Sequence, residues 1–246
     1  MDLVNEGIKL VEEAKRRDIV ARLMGAIAFR IHCPQFGYLH DLLERKLTDV
    51  DIAARSNQKS KIISLFRELG MALDTQTLIA ANRYIFKEGE FEVDVFFDRL
   101  EMCHIIDFRK RLDLDYPTIP LAELLLEKMQ IVQINEKDIK DSIVLLREHP
   151  IGAGDNETLN VSYVAKLLSQ DWGFYYTATT NLAKTRSSVE KYDRLQSGDV
   201  SDVQKKIDEL QAAIDSEPKS VSWKMRAQIG PSKKWYRDVQ EQRPVF

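Results

Sequence analysis

Apolar residues fall along this chain in two alternating rhythms, and the switches between them mark out its elements. Ile8, Leu10, Val11, Ala14 and Ile19 stand among charges at helical spacing, which predicts a helix lying against the body of the protein. The run "RLMGAIAFRIHCP", residues 22 to 34, predicts a short strand, a tight turn at Gly25 and a helix that finishes before Pro34. A polar loop leads to "LTDVDIAARS", residues 47 to 56, whose strict alternation predicts a strand. Val50 and Ile52 then point to one face, and Asp49 and Asp51 to the other.

Residues 57 to 70 place Ile62, Ile63, Leu65, Phe66 and Leu69 at helical intervals and close on Gly70, a carboxy-terminal cap. "NRYIFKEGEFEVDVFFD" predicts a hairpin turning at Glu88-Gly89, with Phe91, Val93, Val95 and Phe97 on one face and Asp94 on the other. From Pro120 the rhythm is helical, with a second helix opening on Asn135 as its cap and stopping at Pro150. "HPIGAGDNE" reads as a linker, placing a boundary between residues 1–150 and 151–246. Two or three amphipathic helices are expected beyond it. Residues 219 to 240 are expected to form a terminal hairpin turning at Gly230-Pro231, and the class is α+β.

Composition changes this picture little. The chain is 246 residues long, 44% hydrophobic and 30% charged, with a net charge of -3, so it carries no global nucleic-acid footprint and any basic surface is local. No apolar stretch approaches the roughly 20 residues that span a bilayer, and the charged amino terminus is unlike a signal peptide; a cytoplasmic protein is expected. Cys33 and Cys103 are the only cysteines. They adjoin His32 and His104, but neighbouring residues point apart and no chelating spacing is present, so packed thiols and hydrogen-bonded imidazoles are expected. Met24, Met71, Met102 and Met129 read as core filling.

The chemistry-bearing candidates are the carboxylates. Asp49 and Asp51 from one strand and Asp94 from another converge on one patch if the strands are neighbours. Like charges so close call for a proton, bulk water or a cation. Mg²⁺ or Mn²⁺ would meet the need with oxygen ligands, and two such ions can clamp the attacking and leaving oxygens of a phosphoryl or nucleotidyl transfer. A glycine ahead of a helix, as at Gly25, lets backbone N–H groups approach a polyphosphate.

The order "MGAIAF", "TDVDIA", "EVDVFFD" resembles the nucleotidyltransferase superfamily, and "IPLAELLLEKMQIVQINEKDIKDSIVLL" resembles the later motifs of its AbiEii branch; together they cover about residues 20 to 150. The resemblance implies a nucleotidyltransferase-like mixed sheet flanked by helices, with a mainly helical carboxy-terminal region behind it. It also implies metal on Asp49, Asp51 and Asp94, nucleotide phosphates at Gly25, Ala26 and Lys128, and Asp138 as base or polar organiser, supported by Lys137 and Asp141. The family turn has Gly-Gly or Gly-Ser where this chain has Gly25-Ala26, which removes a hydroxyl contact to phosphate.

The expected activity is Mg²⁺-dependent transfer of a nucleoside monophosphate from an NTP to an acceptor hydroxyl on RNA such as tRNA, on protein or on a small molecule. The alternatives are a catalytically silent module paired with a toxin or antitoxin partner, and a two-metal nuclease. Residues 219 to 246 hold seven basic residues (Lys219, Lys224, Arg226, Lys233, Lys234, Arg237, Arg243) against Asp238 and Glu241. With Trp223, Trp235 and Tyr236 interleaved, RNA is a candidate partner and a packed tail the alternative.

Overall fold

The computed structural model describes residues 2–75 and 82–239. Helix α1 (Leu3–Arg16) is capped by Asp2, whose side chain accepts from the Val4 and Asn5 N–H groups, and buries Leu10, Val11 and Ala14. Strand β1 (Ala21–Met24) runs directly into α2 (Gly25–His32), and a short helix α3 (Tyr38–Leu42) follows in what the sequence reads as loop. Strand β2 (Val50–Ala54) then leads to α4 (Lys59–Glu68), beyond which Gly70 adopts φ +84°. Next come β3 (Ala72–Leu73), β4 (Arg83–Glu88), β5 (Phe91–Phe97), β6 (Arg99–Glu101) and β7 (Ile105–Asp107). The turn between β4 and β5 is Gly89-Glu90, since Glu88 pairs with Phe91.

Five strands form one mixed sheet in the order β1-β2-β5-β4-β3, with β2 and β5 parallel and the other pairs antiparallel. Alternation sets the two faces. Val50, Ile52, Val93, Val95 and Phe97 are buried on one, where α1 and α2 pack. The other carries a cross-strand row, Met24–Asp51–Asp94–Ile85, one residue from each of four strands. Outside β1, the segment at Thr118 bridges Leu23: the Leu23 N–H donates to the Pro117 carbonyl, and the Ile119 N–H to the Leu23 carbonyl, each at 2.9 Å.

Helix α5 (Leu121–Met129) is buried along most of its length, and α6 (Glu136–Glu148) is capped by Asn135, whose Oδ1 accepts from the Asp138 N–H at 3.1 Å. The linker-like stretch forms a parallel bridge between β8 (Ile151–Gly152) and β9 (Leu159–Asn160), and Asp155 within it accepts from Arg111 at 2.6 Å. Helices α7 (Val161–Leu168), α8 (Trp172–Ser188) and α9 (Ser197–Ser216) then pack on α5 and α6, so one apolar cluster runs from Leu10 to Ile214. The fold is mixed α+β, and among the described residues no helix is long and apolar enough to cross a membrane.

The terminal hairpin is overturned. Residues 221–229 form helix α10 (Val221–Ile229), opened by Ser220, whose side chain accepts from the Trp223 N–H, and ended at Gly230 with φ +64°. Glycine followed by proline stops a helix as readily as it turns a hairpin, and the serine cap ahead of Val221 decides between them.

Candidate functional site: an acidic cleft at the end of the parallel strand pair

Asp51 and Asp94 are register partners on β2 and β5, which places their Cα atoms about 4.8 Å apart. Asp94 is only 4% exposed. Its Oδ2 accepts from the Arg83 guanidinium, which lies over the Phe96 ring, while its Oδ1 is buried without a donor. Burial holds the Asp94 carboxyl above the ordinary carboxylate range, against the opposing pull of Arg83. Burial, then the charges of Asp49 and Asp94, hold Asp51 well above that range. Asp49 stands one residue before β2 and accepts from the Thr48 hydroxyl at 2.9 Å. Its charge is felt at both partners, yet the three carboxylates do not all come within 4.8 Å of one another as they stand.

Gly25 is fixed by Asp51. Its φ is +62°, and a Cβ built on it would lie 2.1 Å from Asp51 Oδ2. Its N–H donates to Glu127 Oε2 at 3.3 Å, so a carboxylate already occupies the donor expected to meet phosphate. Ala26 is buried in α2.

Lys128, in the last turn of α5, meets three carboxylates: Glu127 at 3.3 Å, Asp141 at 3.4 Å and Asp138 at 3.7 Å. Burial alone would push its ammonium down, but these charges outweigh it and raise it above the ordinary lysine range. Asp141 is fully buried and takes a bidentate bond from Arg45, Nε at 2.9 Å and Nη2 at 3.0 Å. Burial raises Glu127 and Asp138, opposed in each by Lys128. Lys137, one position from Asp138, is exposed and does not line the cleft.

Gly25, Asp51, Arg83, Asp94, Glu127, Lys128 and Asp138 line a cleft of about 660 Å³, within the range of small-molecule sites, whereas Asp49, Ala26 and Asp141 do not. Its walls include Gly25, Asp51 and Asp94 on the sheet side, Lys128 and Asp138 from the helices, and Arg237 of the tail. The structure thus brings together Gly25, Asp51, Asp94, Lys128 and Asp138, with Asp141 directly behind Lys128. Arg83, Arg45 and Glu127 carry no signal of their own in the sequence. Arg83 could have been found from the hairpin register, which sets it diagonally from Asp94 on the same face.

The tail aromatics are packed. Trp235 donates from Nε1 to Thr177 Oγ1 at 3.0 Å and stands edge-on to Tyr176, and Trp223 stands edge-on to Tyr175. Arg237 pairs with Glu101 at 3.0 Å and donates its N–H to the Cys103 carbonyl, drawing the tail against the cleft. Cys33 and Cys103 are buried thiols. His104 bonds Thr177 at 2.8 Å and is pushed by burial down to about 4.

No family model matches the chain, and no curated protein matches it.

Proposed function

We propose that this cleft transfers a nucleoside monophosphate from an NTP to an acceptor hydroxyl, in a nucleotidyltransferase-like fold. The observation that carries the reading is the pair of register-matched aspartates, one buried with an unpartnered oxygen and the other holding its carboxyl far above the usual range, beside a left-handed glycine and a buried lysine. A hard divalent ion suits this donor set, because oxygen ligands are what Mg²⁺ or Mn²⁺ takes and its charge relieves the repulsion between the aspartates. When bound, it would supply electrostatic stabilisation of the charge that develops on the phosphates.

The chain's own groups do the rest. Asp51 and Asp94 hold the cation, and Asp49 joins them by turning from Thr48. Lys128, kept charged by its three carboxylates, orients the phosphates at the helix side. Asp138 accepts the proton of the acceptor hydroxyl, whose oxygen bonds to the α-phosphorus as the bond to the pyrophosphate leaving group breaks. RNA, such as tRNA, is the first acceptor to test, with the basic tail at the cleft wall as its contact; protein and small-molecule hydroxyls follow.

The test is mass spectrometry of RNA and small-molecule pools incubated with the four NTPs and Mg²⁺. An added nucleotide mass supports the reading, and its persistence in Asp94→Asn sinks the role of Asp94.

Two contacts favour a second reading, a catalytically silent binding module of the kind that pairs with a toxin or antitoxin partner. Arg83 already neutralises Asp94, and Glu127 already fills the Gly25 N–H. Calorimetry with Mg²⁺ and each NTP separates the two, since the silent module binds neither.

A further inference from the structure

Helices α2 and α6 both begin at the cleft and run side by side away from it; α2 ends on a buried histidine, His32, and α6 is followed by another, its cap His149. At 1.5 Å per residue, His32 lies about 10 Å along α2 from Gly25. Ligand atoms of His32, His149 and Glu157 all fall within 4.8 Å of one another, and the two rings stand edge to face at 5.8 Å. Glu157 belongs to the loop between β8 and β9.

The hydrogen bonds fix which nitrogen of His149 carries its proton. Nε2 lies 2.9 Å from the His32 carbonyl, which can only accept, so Nε2 donates. The lone pair therefore sits on Nδ1, and Nδ1 faces two further acceptors, the Glu157 carbonyl at 3.4 Å and Glu157 Oε2 at 3.8 Å. A lone pair turned toward a carbonyl and a carboxylate is repelled unless a proton or a metal ion lies between them. His32 brings a second ring to the same point, within reach of an ion that a single proton between His149 and Glu157 would not bring into contact with it. His32 has the same supporting pattern: Nε2 bonds the Thr118 hydroxyl and lies 3.2 Å from Asp115 Oδ2. Ring N–H groups anchored on a carbonyl and a carboxylate are what orient metal-binding imidazoles.

We propose that His32, His149 and Glu157 form a divalent-metal site of the zinc type, tying the ends of α2 and α6 to the β8–β9 loop. Two imidazoles and one carboxylate suit Zn²⁺, with water completing four-coordination. Cys33, next to His32, is buried and does not belong to this group of ligand atoms. The site is independent of the reading given for the cleft.

The test is titration of EDTA-stripped protein in Mg²⁺ buffer, with Zn²⁺ by calorimetry and with Co²⁺ by visible absorption. The expected result is one Zn²⁺ per chain, not displaced by excess Mg²⁺, and the visible Co²⁺ bands of a low-coordinate site. Glu157 has its side chain 72% exposed, so Glu157→Gln leaves the fold intact; it should weaken Zn²⁺ binding at least about 10-fold, and His149→Gln should abolish it. Asp51→Asn should leave Zn²⁺ binding unchanged. No stoichiometric uptake, or equal affinity in Glu157→Gln, overturns the proposal. So does uptake that is lost in Asp51→Asn and kept in Glu157→Gln.

Discussion

Asp51 and Asp94 face each other across the parallel strand pair of the five-stranded sheet, and Gly25 leaves room for the first while Arg83 neutralises the second. Two carboxylates in adjacent register positions are unfavourable on their own. The surrounding groups show how the fold tolerates them.

The raised carboxyl of Asp51 sets a pH dependence. Its folded value lies above its unfolded one, so the folded state holds the extra proton. That contribution to stability is complete below the ordinary carboxylate range and is lost as pH rises through the folded value. Asp51→Asn should therefore raise the melting temperature at pH 7 to 8, by about 2–4 °C for each kcal/mol recovered, and leave it unchanged near pH 3. Thermal melts across that range check this, and saturating Mg²⁺ should shrink the difference between the two proteins.

Gly25→Ala should cost about 1–3 kcal/mol, because φ is +62° and the new methyl group would collide with Asp51 Oδ2. Urea unfolding measures the loss. A variant as stable as the parent would mean that Asp51 does not rest against the turn.

Lys128→Met leaves Glu127, Asp138 and Asp141 facing one another without their shared ammonium, with Arg45 still on Asp141 and the Gly25 N–H on Glu127. Breaking a buried ion pair of this kind costs about 3–5 kcal/mol. Denaturation should show that loss at pH 7 and a smaller one at acid pH, where the carboxylates take up protons.

Arg83→Ala frees Asp94 Oδ2. If the cleft holds Mg²⁺, removing the competing cation should tighten its binding by about 5-fold, equivalent to about 1 kcal/mol. Calorimetry reads the change directly: absent Mg²⁺ binding favours the silent module, and unchanged binding means that Asp94 Oδ2 does not contact the ion.

The tail gives a contrast. Trp223 is packed against Tyr175, so Trp223→Ala should lower stability without changing the salt slope of RNA binding. Lys224→Ala with Lys233→Ala should flatten that slope by about 1–2. Filter binding across a salt series distinguishes the two.

Much of this was legible from the chain because periodicity reports faces. The strand at Val50, the β4–β5 hairpin, the turn at Gly25 and the Asn135 cap each follow from local spacing, and Asp51, Asp94, Lys128 and Asp138 reach the same cleft. What spacing cannot carry is partnership. Arg45 meets Asp141 across 96 positions, and Glu127 meets the Gly25 N–H across 102, so neither bond has a local signature. The tail differs for another reason: Gly230-Pro231 suits two kinds of turn, and the Ser220 cap selects the helix. The histidine pair escaped because His32 and His149 are 117 positions apart, and chelating spacings are local patterns.

The segment at Thr118, bonded along β1 through Pro117 and Ile119, has a bearing on behaviour in concentrated solution. It takes up the outer backbone groups of Leu23, and at the opposite rim β3 has two residues among those described. A second copy approaching β1 therefore meets backbone groups at Leu23 that are already bonded, which disfavours strand addition at that rim.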